Sequence, residues 1–249
     1  MCNNPNPWIA LPSKPRYVLP CDEEKISIYS ARAQGGYELQ LNLLPEPFIG
    51  LPTTPVVLLN LNPGFDPEDP EVHQRPKFRA VLRKNCCHGS LEYPFFFLYP
   101  DFRETPGGKW WSGKFKWLLE AFGEKQLARS IFCVEYFPYH SRRFRWPRRL
   151  HQLQSQQYGF GLVRSAIGRN AVVVIMRARK RWLESVPELE EHAGVFTLNS
   201  PQNVVLSPGN FAGDGFGVVV SAISEHLLAN SFQPAQETFQ VGGARTRTG

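Results

Sequence analysis

Apolar residues in this chain gather into short continuous runs that stop at proline or glycine, and the runs are separated by stretches whose apolar residues recur three or four apart. Val56-Val57-Leu58-Leu59 leads into Asn60-Leu61-Asn62-Pro63-Gly64, and the run from Ser130 to Phe137 ends at Pro138. Ala171 to Met176 is a third run, and Asn203-Val204-Val205-Leu206 a fourth that stops at Ser207-Pro208-Gly209. Runs this short and this uniformly apolar predict strands buried on both faces, as in a parallel sheet. Helices are expected over 114–122, with Phe115, Leu118, Leu119 and Phe122 on one face and Gly123 as the stop, and over 150–168, 182–192 and 216–228. Residues 65–112 read as a long irregular section, with Asp66-Pro67 and Asp69-Pro70 as turn residues and, alternatively, Asp66 and Asp69 as groups able to activate a water. The alternation predicts an α/β fold, a three-layer α/β/α sandwich on a four-stranded parallel sheet over residues 55–229. Residues 1–54 are expected to be an extension wrapped on this core, and residues 230–249 a disordered tail.

Composition narrows the class. The 249 residues are enough for one domain with a full core, and the hydrophobic fraction of 42% supports a folded protein. No apolar run is long enough for a bilayer and the N-terminus lacks a signal-peptide pattern, so a cytoplasmic, non-membrane monomer is expected. Five cysteines without an export signal argue against a disulfide framework. Cys86-Cys87-His88 does not have metal-ligand spacing, no CxxC pair exists, and His140, His151 and His192 form no metal pattern, so neither a metal nor a cofactor is expected. A phosphate-binding glycine loop with lysine and a Gly-x-Ser-x-Gly elbow are both missing.

Charge adds a partner. The net charge of +6 is concentrated: Arg142-Arg143-Phe144-Arg145-Trp146-Pro147-Arg148-Arg149 places five arginines in eight residues with aromatics between them, and Arg177-Ala178-Arg179-Lys180-Arg181 follows the third strand. Arginines interleaved with rings suit phosphate contacts and base stacking, and both segments follow strand ends. DNA is the expected partner.

Ligands of open parallel sheets bind beyond the carboxyl ends of the strands, which is where Asn62-Pro63-Gly64, Glu135-Tyr136 and Ser207 to Phe211 fall. These motifs, in this order, resemble the uracil-DNA glycosylase superfamily, above all its mismatch-specific and thymine-DNA glycosylase branch. The first strand of that branch ends in Gly-Ile-Asn-Pro-Gly, matched by Asn60-Leu61-Asn62-Pro63-Gly64, and its last motif is similar to Ser207-Pro208-Gly209-Asn210-Phe211. The resemblance spans residues 54–228 and implies a monofunctional DNA glycosylase that hydrolyses the bond between a nonstandard base and deoxyribose, in repair or in defence against modified foreign DNA. It gives Asn62 the task of placing the attacking water and sets Ser207 where the family has a His or Asn that supports the leaving base. Leu61, Pro63, Gly64, Phe97, Glu135 and Tyr136 would surround the base. Arg142, Arg143, Arg145, Arg148, Arg149, Arg177, Arg179 and Asn210 would hold DNA, with Phe211 as an apolar wedge in the base stack.

Glu135 carries a choice. An ionised glutamate only accepts hydrogen bonds, so it would suit the exocyclic amino group of a modified cytosine; alternatively it pairs with an arginine of the basic segment and orders that loop. A non-catalytic DNA-binding protein on the same fold, and a hydrolase of nucleosides or nucleotide sugars, remain open at this point.

Overall fold

The computed structural model describes residues 5–200 and 202–231. It is an α/β fold on a five-stranded mixed sheet: β1 (Phe48–Gly50), β2 (Val56–Asn60), β3 (Ile131–Glu135), β4 (Val172–Ile175) and β5 (Val195–Thr197), in spatial order β1-β3-β2-β4-β5. The expected sheet of four parallel strands is corrected, because β1 joins β3 antiparallel while the other pairs run parallel. Every residue of β2, β3 and β4 is buried, so both sheet faces are covered. Each apolar side chain removed from water in this way contributes about 1.5–3 kcal/mol.

Strand β1 lies in the segment expected to be a mere extension. Gly50 makes its pairing possible: its φ is +105°, and an added Cβ would stand 2.5 Å from the Ile131 carbonyl oxygen. At the far side, the expected strand at 203–206 is replaced by β5. Val204 and Leu206 are buried, but their segment forms no ladder; the Asn210 amide donates to the carbonyls of Asn203 and Val205 (2.8 Å each), and the Leu206 N–H to the Lys114 carbonyl. A buried loop satisfied by one side chain satisfies the same requirement as a strand, that no backbone group be left unpaired.

The helices are α1 (Glu23–Ser30), α2 (Asp69–Gln74), α3 (Pro76–Cys86), α4 (Pro106–Lys114), α5 (Lys116–Ala128), α6 (Gln154–Gly168), α7 (Arg179–Ser185) and α8 (Gly215–Ser231). Helix α6 packs on β3 and β4, and α8 on β2 and β4. Residues 65–112, expected to be irregular, contain α2, α3 and most of α4. Their prolines start helices instead of breaking them: Pro70, Pro76 and Pro106 each occupy the first turn, where the missing N–H costs nothing. The block Phe95-Phe96-Phe97 is buried against Phe78, Trp111 and Phe115. Gly123 interrupts α5 with a φ of +70°. No helix among the described residues is long and apolar enough to cross a membrane. Residues 232–249 of the expected tail lie outside the described residues.

Candidate active site

Strands β2 and β3 are neighbours and parallel, so their carboxyl ends emerge together, Asn60 opposite Glu135. Beyond them opens a cleft of about 310 Å³, lined by Asn60, Asn62, Pro63 and Gly64 from the β2 end, Glu135, His140, Ser141 and Arg142 from the β3 end, and Arg177 from the β4 end. Phe97, Trp110 and Trp111 supply its aromatic wall, and Glu46, Asp66 and Asp69 its further acids. The Phe97 ring takes the place a side chain at Gly107 would occupy, since a Cβ there would fall 2.2 Å from it.

Asn62 has a fixed orientation. Its amide nitrogen donates to the Pro63 carbonyl at 2.7 Å and to Ser141 Oγ at 3.1 Å. A carbonyl only accepts, so the nitrogen must lie on that side and the amide oxygen is left without a donor among the described residues. Gly64 gives the cleft room, because a Cβ there would touch nothing within 4 Å.

Glu135 is buried and accepts a hydrogen bond on Oε1 from the Asn60 amide at 2.9 Å. Its Oε2, and Oδ1 of Asn60 beside it, are buried without any partner. Burial pushes the Glu135 carboxyl up to about 8, against the opposing pull of the Asn60 hydrogen bond and the Arg177 charge. Both choices made for Glu135 from sequence are therefore revised. Its hydrogen bond goes to Asn60 and not to an arginine, and at neutral pH it is a protonated acid able to donate. Asp69 lies at the start of α2, where its Oδ2 accepts from the Asp66 N–H at 2.7 Å; burial pushes it up to about 6, so at neutral pH it is mostly ionised. Glu46, buried at the same cleft, is raised by burial and by the nearby Asp69 and Glu135 carboxyl groups. Asp66 and Asp69 thus line the cleft while also shaping the turn expected of them.

Glu46, His73 and His140 bring their ligand atoms within 4.8 Å of one another, a grouping the sequence does not signal. His73 Nδ1 accepts from the Leu44 N–H, which leaves the proton on Nε2, facing Glu46 at 3.8 Å. Both nitrogens of His140 face backbone carbonyls, those of Gly64 and Leu44, and burial pushes the ring down to about 4, so it is neutral and donates its one N–H to one of the two. The cluster is buried, and through His140 it meets the Gly64 and Leu44 carbonyls beside the cleft. Cys86 and His88 diverge, the first toward the Pro45 carbonyl and the second stacked on Phe48 and bonded to Tyr158.

Other residues singled out from sequence lie elsewhere. Leu61 and Tyr136 line a separate groove, and the Tyr136 hydroxyl is bonded to Ser185. Ser207 is not among the residues lining the cleft; its carbonyl accepts from the Asn210 N–H in the turn that follows. Asn210 is buried and its amide is used in full by Asn203, Val205 and Ser200, so none of it remains for DNA. Phe211 is 4% exposed and packs on Phe216, which makes it an anchor of its loop and leaves no wedge standing clear. Arg142, Arg143, Arg145, Arg149 and Arg179 are exposed, Arg177 is half-buried over the Trp110 ring, and none of these is in an ion pair among the described residues. The backbone at Arg148 forms a short 3-10 turn with Arg149 and Leu150.

Set against known protein families, curated proteins and solved structures, the chain matches none of them.

Proposed function

We propose that this protein hydrolyses the N-glycosidic bond of a base in nucleic acid, leaving an abasic sugar. The observation that supports this reading is the convergence on a single cleft of Asn62, whose amide oxygen lacks a donor, with Glu135 and Asp69, two carboxyl groups on opposite sides of neutrality. Two carboxyls pushed apart in this way divide into acid and base. A water held by the Asn62 oxygen attacks the anomeric carbon, its proton passing to Asp69. The bond to the base breaks with its electron pair going to the base, which takes the Glu135 proton. The Asn60 amide, already bonded to Glu135 Oε1, steadies the carboxylate that results. Phe97 and Trp110 offer apolar surface to the base, and Arg142 and Arg177 offer charge to phosphate.

The test is incubation of the full chain with single-stranded and duplex oligonucleotides carrying uracil or modified cytosines, followed by hot alkali, which cleaves at abasic sites. Strand cleavage with at least one substrate, slowed about a hundredfold in Asn62→Ala, is the expected result. Binding without release of any base would make the protein a non-catalytic nucleic-acid binder. A second reading, hydrolysis of free nucleosides or nucleotides, draws on the burial of Phe211, since such a substrate needs no extrusion from a stack. Release of base from nucleosides but not from oligonucleotides would establish it.

A further inference from the structure

Successive residues at the ends of the parallel strands point to opposite sides of the sheet edge. At the β2 end Asn60 and Asn62 line the cleft while Leu61 between them lines a second concavity; at the β3 end Glu135 and Tyr136 divide in the same way. At the β4 end Arg177 goes to the cleft and Ala178 to the second concavity. The second space, about 830 Å³, thus lies back to back with the first across a single layer of strand ends.

Both basic segments meet there. Arg179, Lys180 and Arg181 line one side and Phe144 and Trp146 the other, although the two segments are more than thirty residues apart in sequence. Arg179 and Lys180 are exposed, and none of the three cations is in an ion pair among the described residues. Glu184, the one acid lining this groove, has a partner of its own. Arg181 lies over the Phe144 ring at 5.4 Å and over Tyr136 at 5.9 Å, so its guanidinium plane is held by aromatic faces instead of by a carboxylate. Tyr136 and Trp146 are buried, the latter stacked on Tyr29, whereas Phe144, tilted against Phe137 at 5.1 Å, is only half-buried and leaves part of its surface open.

We infer that this groove is a binding site for single-stranded nucleic acid, with phosphates on the 179–181 cations and an unpaired base against Phe144. A recessed ring meets a base only when that base is unpaired, while a duplex would offer this concavity phosphates alone. The buried Phe211 agrees, because a protein taking its base from a single strand needs no wedge to open a helix. The inference takes from the proposed function only that the substrate is nucleic acid, and the groove shares no lining residue with the cleft.

The test is fluorescence anisotropy of the full chain with a labelled 15-nucleotide oligothymidylate over a range of salt. Wild type binds it more tightly than the corresponding duplex. Replacing Arg179, Lys180 and Arg181 together with alanine lowers the log-log salt slope by about 2, at roughly 0.7 for each phosphate contact on a single strand. Phe144→Leu weakens binding by about tenfold and leaves the slope unchanged, since a lost stack is not a lost charge. Thermal melting of each variant establishes that it is folded. An unchanged affinity and slope in the folded triple variant, or displacement of the oligonucleotide by an equal charge of polyglutamate, overturns the groove. Asn62→Ala separates the two proposals: loss of excision with full oligonucleotide binding upholds both, whereas base release by a protein whose binding ignores the 179–181 changes upholds the cleft and refutes the groove.

Discussion

Replacing Glu135 with glutamine tests the protonated carboxyl on which the proposed chemistry turns. Glutamine has nearly the shape of the protonated acid and can keep the bond to Asn60, but it cannot ionise. The ordinary glutamate value is 4.5 and burial lifts it to about 8, so between these values the folded protein holds a proton that the unfolded chain has released. Stability therefore falls as pH rises through that window, by about 1.4 kcal/mol per unit, and levels off above it. From pH 5 to pH 9 the loss is about 4 kcal/mol, or roughly 8–16 °C in Tm for a chain of this size. The assay is urea unfolding of both proteins at pH 5, 7 and 9. The wild type should lose about 4 kcal/mol more than Glu135→Gln across the range, becoming the less stable of the two at the alkaline end. A difference between the two that stays flat from pH 5 to 9 would mean that Glu135 is already ionised in the fold, and its role as the proton donor would fail.

Asn62→Ala should reduce kcat for base release by about a hundredfold at unchanged Kd for oligonucleotide, because water placement acts on the chemical step; equal loss of binding would make Asn62 a ligand-holding residue. In kcat/KM profiles the wild type should show an acid limb near 6, which Asp69→Asn removes while lowering the plateau by about 10²–10⁴-fold; a limb that persists assigns the base elsewhere. Asn210→Ala should cost about 3 kcal/mol in urea unfolding, since it strips the partners from two backbone carbonyls and the Ser200 N–H, and a cost under about 0.5 would show that water replaces them. Gly107→Ala should destabilise by about 1–3 kcal/mol as Phe97 is forced from its place, with base release reduced in parallel.

The three central strands are legible because burial on both faces leaves no polar position to blur them, as in Val56-Val57-Leu58-Leu59. The edge strands are not. Phe48-Ile49-Gly50 is three residues long after a Pro-Glu-Pro, and Val195-Phe196-Thr197 is only half-buried, so neither carries enough pattern to stand out. The run at 203–206 misleads for the opposite reason, being as apolar as a strand while its backbone is satisfied by Asn210. At the cleft, Asn62, Pro63, Gly64, Glu135 and Arg177 can be picked out because strand ends are marked in the sequence. Asp66 and Asp69 stand out only by following Asn62-Pro63-Gly64 and read equally as turn residues, while Glu46 and Ser141 cannot be picked out, since nothing local distinguishes them from surface acids and loop serines. Glu46 would have been found only by knowing that residue 46 returns to residue 138, where the Glu46 N–H donates to the Pro138 carbonyl.

That return of the chain links the cleft to folding itself. Gln40 donates to the carbonyl of His140, Glu135 to that of Pro47, and β1 pairs with β3, so one wall of the cleft is sewn to another across about ninety residues of sequence. Contacts of such long range form late, after the loop-closure entropy has been met, and they break with the sheet instead of before it. The site is thus a gauge of the whole fold: ligand protection should vanish together with the sheet in denaturant, and excising residues 1–54 would remove a strand and a cleft acid together, not trim an ornament from an intact domain.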